Sequence, residues 1–504
     1  MNKKLTAILL AMLMVAPTVL TACSESTENA ETTASAQTTT NEATAGETET
    51  ESDETERRYA DVPADSNFGG YSFNILCSSN SEYGGVQDDF YAEEITGEGI
   101  NDARYNRNTT VGDKLNVTIN PIDAEVGEGN GYTMISQSVQ AGTGDYDLAT
   151  ACGYTTTRLA QNNFLYDMKN VPYIDLSAPW WDQVANNSMQ ILGQLFFTTG
   201  EISTADNDAT YCIMFNKQLI DDYNLQNPYD LVYSDKWTMD NFISMALQVS
   251  EDLDANGKFD LNDRYGALIW DDSMMGVVNA SGEKCCIINN DGLLELSLNS
   301  ETTIDAVTKF LDFAVQKEYA CAYQRLNWDD TALVRMFSGN QGLFLMQLIQ
   351  IVPKMREMDA NFGILPYFKY TESQKDYYTT IGSWHSVFVC VPNGQADLER
   401  TGIVTECLAN EGLYGLTKEY YEKTLVGKST RDQESEGMLD IIFANRVYDM
   451  GWYFQVGSYN EQVMNLLRNY NNNFASMYKS MEKVANKVID KANETFEKNL
   501  EESR

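Results

Sequence analysis

The chain has 504 residues, enough for more than one hydrophobic core. Its formal net charge is −39, from 35 basic and 74 acidic residues, and no basic patch offsets it. That field repels polyanions and excludes a nucleic-acid partner; it suits an exported protein with an acidic, solvated surface, and it would favour a cationic ligand.

Residues 1–22 open on Lys3 and Lys4 and continue as an apolar run from Leu5 to Leu20. This is the pattern of a secretory signal peptide rather than of a structural helix. It ends Leu20-Thr21-Ala22-Cys23, which resembles a bacterial lipobox. The resemblance implies that Cys23 becomes the lipidated first residue and holds the protein on a membrane surface without a spanning helix. Residues 24–56 carry no aromatic residue and no Leu, Ile, Val or Met, so they have nothing to bury and are expected to be disordered. Ten acids and two arginines between 24 and 58 keep that tether extended. With +2 in residues 1–22 and −8 in the tether, residues 59–504 keep −33. The domain reading is a signal peptide at 1–22, a lipidated cysteine and tether at 23–58, and a folded body from Tyr59.

In the body, Tyr71–Cys77 alternates and then runs apolar, as a first strand ending in the polar loop Ser78-Ser79-Asn80. Residues 101–115 are expected to be helical, followed by a strand at Val117-Thr118-Ile119, a helix at 132–141 and a strand at 145–151. Strands alternating with helices point to parallel α/β layering. In open sheets of this kind, ligands bind beyond the carboxyl ends of the strands. Leu195-Phe196-Phe197 and Tyr211–Phe215 are apolar runs with the length of buried strands, separated by the polar segment Thr198–Thr210. A helix opens at Trp237-Thr238, with Thr238 as N-cap and an apolar stripe of Phe242, Ile243, Ala246 and Leu247. Residues 335–345 read as helix, glycine turn and strand. Phe362–Tyr367 and Ile381–Val391 read as further strands, and helical spacing runs on from Glu461 to Met481.

The segment Gln194–Leu219, with its two apolar runs about a polar crossing, resembles the hinge of extracellular solute-binding proteins of sugar-type ABC transporters. That group includes maltose-binding protein. The order of strands and helices at 71–151, the segment RMFSGNQGLFL at 335–345 and the strand at 362–367 resemble the same family. The resemblance implies a two-lobed, hinge-connected type II periplasmic-binding-protein fold of the α/β class. One lobe would be residues 59–208 and 361–425, the strand at 362 re-entering it; the other would be residues 209–360 and 426–504. It also implies a monomer at the extracellular face of the membrane that captures a carbohydrate between its lobes and delivers it to an ABC permease.

Three groups of residues could carry chemistry. Aromatics sit beside polar residues at Trp270-Asp271-Asp272, Trp328-Asp329-Asp330, Trp384-His385 and Trp452-Tyr453, with Tyr83 and Tyr154 just after expected strand ends. A sugar has an apolar C–H face and a hydroxyl edge, which an aromatic face and carboxylate acceptors match; core packing is the competing role for each ring. Carried onto this chain, the family resemblance places Asn80, Asp206, Asp208, Trp270 and Trp384 near one cleft, with Tyr83, Tyr154 and Trp452 as further ligand candidates. The second group is Asp252–Asp263. Its side-chain oxygens at Asp252, Asp254, Asn256, Asp260 and Asp263, and the Lys258 carbonyl, fall on the positions of an EF-hand calcium loop, with Gly257 at the turn. Asp263 stands where an EF-hand has Glu, and an Asx-rich turn without an ion is the alternative.

The third group is catalytic, and it is sparse. His385 is the single histidine, without a nucleophile-elbow pattern, and there is no Walker-type phosphate loop. A surface glycoside hydrolase would need only a carboxylate pair and remains an alternative function, as does a non-transport surface binding protein. Nine cysteines show no zinc spacing; Cys77, Cys152, Cys212 and Cys390 lie in or beside apolar runs, where a thiol packs as a small hydrophobe.

Overall fold

The computed structural model describes residues 57–78, 90–124, 128–355, 358–421 and 434–502. The expected signal peptide and tether, with Cys23, fall within residues 1–56, outside the described residues, as do Asn80 and Tyr83. Tyr59–Arg504 forms one compact unit. It is built on two main sheets. No described helix is long and apolar enough to cross a membrane.

The first sheet has the order Phe388–Cys390, Leu148–Ala151, Tyr71–Ser78, Val117–Asp123. Tyr71–Ser78 runs parallel to both neighbours, and Phe388–Cys390 adds antiparallel on the edge with Phe388 opposite Ala151. The helix Gly99–Leu115 packs beside it. Its N-terminus is capped by Glu98, which accepts from the Asn101 amide, and it stops where Asn116 turns left-handed at φ 51°. Its buried residues, Arg107, Val111 and Leu115, are four apart, one stripe on one face.

The second sheet has the order Phe362–Leu365, Tyr211–Asn216, Gly342–Leu348, Tyr265–Ile269, Ala320–Ala322. The last three run parallel and the first two are antiparallel additions. Every residue of the sheet is buried, which is why its strands read as continuous apolar runs without alternation. Phe362–Leu365 therefore does not re-enter the first lobe. It pairs with Ile213–Asn216, because a four-residue apolar strand finds both faces covered there.

Four other local expectations change. Leu195–Phe197 is not a strand; the residues on either side of it are bridged singly, Gln194 to Ile191 and Thr198 to Val389. Within Ile381–Val391 only Phe388–Cys390 is strand, and Gly382–Ser386 closes a tight turn with the Ser386 amide on the Gly382 carbonyl at 2.7 Å. The helix Met239–Val249 is capped by Thr238 as expected, but buries Phe242, Met245, Ala246 and Val249, leaving Leu247 41% exposed. Steps of three and four from Phe242 select Met245 and Val249, so the 3.6-residue period decides over side-chain hydropathy. The helical run from residue 461 is two helices, Tyr459–Arg468 and Phe474–Glu502, broken in the Asn-rich stretch where Tyr470 turns left-handed at φ 53°.

The chain passes between the sheets along residues 198–210 and returns along residues 366–387. The two crossings run antiparallel side by side, bridged at Thr210–Ile381 and again at Thr198–Val389, where the return crossing has entered the first sheet. The eight cysteines among the described residues are free thiols in the core.

Candidate functional site

A cavity of about 650 Å³ opens where the ends of both sheets face each other. Tyr154 enters it from the first turn of the helix Gly153–Gln161, immediately after the strand Leu148–Ala151. The Gly153 amide meets the Ser383 carbonyl at 3.1 Å and Ser386 Oγ at 3.2 Å, tying this helix start to the 382–386 turn. A Cβ on Gly153 would sit 2.7 Å from the Tyr453 ring, so the close approach requires glycine. The turn delivers Trp384, whose ring centroid lies 6.0 Å from that of Tyr154.

The opposite wall comes from the second sheet. Trp270-Asp271-Asp272 follow the carboxyl end of the strand Tyr265–Ile269, and the Ser273 amide bonds back to the Trp270 carbonyl at 3.0 Å. Trp270 packs against Tyr211 at 5.8 Å and against His385, edge to face, at 5.3 Å. Tyr323 and Trp328 follow the next strand, Ala320–Ala322, their rings 5.5 Å apart. Asn327 and Trp328 are both left-handed, at φ 53° and 63°. A bulky residue pays steric strain there, and here the strain leaves an indole 53% exposed at the cavity. The helix Tyr459–Arg468 closes the remaining side. Its Arg468 donates through Nε to Asp271 at 2.5 Å and through Nη1 to Glu461, and its guanidinium lies 5.2 Å from the Trp328 ring centroid.

Burial pushes the Asp271 carboxyl up, and the Arg468 ion pair opposes it. Asp272 is pushed well up, first by burial and then by the neighbouring charge of Asp271. Burial lowers His385 to about 4, so at neutral pH its ring is uncharged. The uncharged imidazole adds a further aromatic face to the site.

Three residues singled out from sequence, Tyr154, Trp270 and Trp384, thus meet on one cavity, joined by Trp328 and the acids beside Trp270. Trp452 does not. It is fully buried, with Nε1 on Asn279 Oδ1 at 3.1 Å, which makes it a core residue. Asp206 and Asp208 do not line the cavity either. Asp206 is 2% exposed and held by Arg446 at 3.1 Å, and Asp208 accepts from Tyr420 at 2.6 Å. Most of the polar crossing is packed inside the body, where Asp206 and Asp208 find protein partners instead of this cavity. Sequence reasoning missed Arg468, Glu461, Asn460 and Tyr323; the aromatic–acid pairs carried a local signal, whereas these depend on which helix closes the cavity.

A second cluster lies in the loop 252–263. Carboxylate oxygens of Asp252, Asp254 and Asp263 lie within 4.8 Å of one another. Gly257 makes the turn at φ 77°, and its amide reaches Asp252 Oδ2 at 2.7 Å. Asp263 is fully buried and accepts from the amides of Leu253 at 3.0 Å and Asp260 at 2.7 Å. A bridge between Glu251 and Arg264 closes the loop's base. These hard oxygens at the first, third and twelfth loop positions fit a calcium ion. Asp260, expected at the ninth, stands outside the three and accepts from the Asn262 amide at 2.9 Å. EF-hands often reach the ion from that position through a water.

No family model matches the chain, and no curated protein matches it. Among solved structures, an ABC substrate-binding protein from Listeria monocytogenes in complex with cycloalternan aligns at TM-score 0.54 and 13% identity, over 85% of this chain and 99% of that one. The GacH receptor of Streptomyces glaucescens, solved unliganded and with acarbose, aligns at TM-score 0.54 and 12% identity, over 84% and 99%. A cyclo/maltodextrin-binding protein complexed with maltotetraose aligns at TM-score 0.55 and 13% identity, over 85% and 98%. The protein has the two-lobed type II fold of the solute-binding proteins of sugar ABC transporters.

Proposed function

We propose that this protein is the extracellular substrate-binding component of an ABC importer. It captures a carbohydrate between its two lobes and delivers it to a membrane permease. The observation that carries this reading is the cavity at the carboxyl ends of strands from both sheets, walled by Tyr154, Trp270, Trp328 and Trp384 and rimmed by carboxylates. Aromatic faces take the C–H faces of a sugar, and acceptors take its hydroxyls. Proteins of the same fold that bind cycloalternan, acarbose and maltotetraose support a saccharide ligand. They are binding proteins rather than enzymes, which favours capture over turnover. The paired crossings at 198–210 and 381–389 supply the hinge about which lobes of this kind close on a ligand.

Anchoring through a lipidated Cys23, with the acidic tether as spacer, completes the proposal and puts the body at the outer face of the membrane as a monomer. A calcium ion in the loop 252–263, held by Asp252, Asp254 and Asp263 with Asn256, Asp260 and the Lys258 carbonyl, would be structural, far in chemistry from a saccharide site.

The test is a panel of mono- and oligosaccharides on the Cys23→Ser chain, read by thermal shift and by chromatography of the recovered sugar. A rise in melting temperature with unaltered sugar supports capture. Cleaved product points to the hydrolase, and no shift with any saccharide removes the carbohydrate reading.

A further inference from the structure

The cavity carries more negative charge, and more open acceptors, than its own cation answers. Three carboxylates, Asp271, Asp272 and Glu461, share it with one guanidinium, Arg468. Arg468 is engaged by Asp271 and Glu461. Asp272 has no hydrogen-bond or ion-pair partner among the described residues, and caps no amide of the helix Ser273–Ala280 that it precedes. Asn460 lines the same cavity. Asn460 is 5% exposed; its Nδ2 donates to Tyr154 Oη at 2.8 Å, and its Oδ1 is buried with no partner. Asn460 Oδ1, buried without a donor, costs free energy unless a ligand supplies one, while the part-exposed Asp272 carboxylate faces the cavity unpaired.

We propose that the ligand is an amine-bearing saccharide, its ammonium received by Asp272 and by Asn460 Oδ1 and its ring by the tryptophan walls. This rests on the carbohydrate reading above and names the class within it. A neutral hydroxyl brings one donor and also asks for donors in return, and Arg468, the cavity's charged donor, is already committed. An ammonium brings three donors and no acceptor, and so matches the unpaired carboxylate of Asp272 and the unsatisfied Oδ1 of Asn460. Its bonds to Asp272 are charge-assisted, and the faces of Trp270, Trp328 and Trp384 attract a cation as well as a C–H surface. His385, neutral through burial, adds no competing positive charge. The body's net charge of −33 concentrates cations at its surface and steers the same ligand inward.

Burial and the charge of Asp271 push the Asp272 carboxyl up, with Glu461 adding to the rise and Arg468 opposing it; the Tyr211 and Tyr367 hydroxyls feel the Asp272 charge from the other side. A bound ammonium favours the ionised carboxylate. Where the free amine is already an ammonium, binding should therefore release a proton from Asp272, which a neutral sugar would not cause.

Calorimetry on the Cys23→Ser chain tests this with matched pairs: glucosamine against glucose, galactosamine against galactose, and β-1,4-linked glucosamine oligomers against glucose oligomers of the same length. At least one amine should bind about tenfold or more tighter than its neutral partner, the size of a charge-assisted contact. Its binding heat should vary with the ionisation enthalpy of the buffer. Asp272→Asn should bring the pair to within about twofold and abolish that buffer dependence, while Asn460→Ser narrows the preference separately. Neutral sugars binding as tightly as their amine partners would overturn the proposal and leave the carbohydrate reading standing. Binding of neither class would overturn both.

Discussion

Arg446 donates through Nη2 to Asp182 at 2.6 Å and through Nη1 to Asp206 at 3.1 Å. All three side chains are at most a tenth exposed. Asp182 precedes and caps the helix Gln183–Ser188, Asp206 lies in the outward crossing, and Arg446 lies in the strand Arg446–Val447, paired to Thr379–Thr380 of the return crossing. Tyr448 adds a bond to Asp182 at 2.8 Å. One guanidinium therefore pins the base of both crossings to the first lobe.

Arg446→Met should lower folding free energy by about 3–5 kcal/mol, the cost of leaving buried carboxylates without their cation. Adding Asp182→Asn should restore part of the loss, since the amide has no charge to bury. Denaturant midpoints of the single and double variants measure both. An unchanged midpoint in Arg446→Met would mean that the carboxylates reach water when the arginine is gone.

Glu406 accepts from the indole nitrogens of both Trp180 and Trp181 at 2.9 Å while itself 1% exposed. Burial pushes its carboxyl up to about 7, with the indole donors opposing. The folded state thus holds this proton more tightly than the unfolded chain. Stability from this group is present at acid pH and is lost as pH rises from the ordinary glutamate range, about 4.3, through about 7. Melting temperature should fall from about pH 5 to about pH 8, and fall less in Glu406→Gln. Asp206, raised to about 6 by burial, acts in the same direction and leaves a residual slope. Parallel curves for the wild type and Glu406→Gln would remove Glu406 from the effect.

Much of this architecture is legible in the chain because burial writes itself into residue choice. Tyr211–Phe215 and Phe362–Tyr367 read as strands since a fully covered sheet takes apolar residues on both faces, and Thr238 reads as a cap because its hydroxyl accepts from a helical amide left without a carbonyl. The crossings hide for the same physical reason. Thr198–Thr210 looks like a solvated ligand-facing stretch, yet it is packed, and its acids are answered by Arg446 and Tyr420 from more than two hundred residues away. Trp384 and Trp452 are equivalent as letters beside polar neighbours. Only the tight turn at 382–386 and the short helix Met450–Tyr453 put one at the cavity and the other in the core.

Trp328 separates binding from folding. Its indole is 53% exposed, so Trp328→Ala creates no core void and should keep stability within about 0.5 kcal/mol. As an aromatic anchor on the cavity it should cost about 10–100-fold in saccharide affinity. Calorimetry and melting on the same sample give the two numbers. Full affinity in Trp328→Ala would take this ring out of the site, and a collapsed melting temperature would assign it to packing.

Cys23 tests the anchor. Cys23→Ser removes the sulfur that would carry the lipid and should move the protein from the membrane fraction into the medium. Equal membrane retention of the wild type and the variant would count against lipidation at this residue.

The loop 252–263 offers the clearest separation of a metal site from an acidic turn. Asp252, Asp254 and Asp263 place carboxylate oxygens within 4.8 Å of one another. Three like charges grouped in this way attract a cation. A calcium ion bound only by the native state raises stability by mass action, about 2.7 kcal/mol at a free concentration one hundred times the dissociation constant. Asp254 is the residue to change: it is exposed, and its oxygens serve only Asn256 inside the loop. Asp263 is the wrong choice, because its removal also orphans two backbone amides. Asp254→Ala should melt like the wild type in chelator and should lose the increment that calcium gives the wild type. Asp260→Ala, outside the three grouped carboxylates, should lose less of it. A wild type that melts identically in calcium and in chelator would leave the loop as an Asx-rich turn held by its own backbone amides.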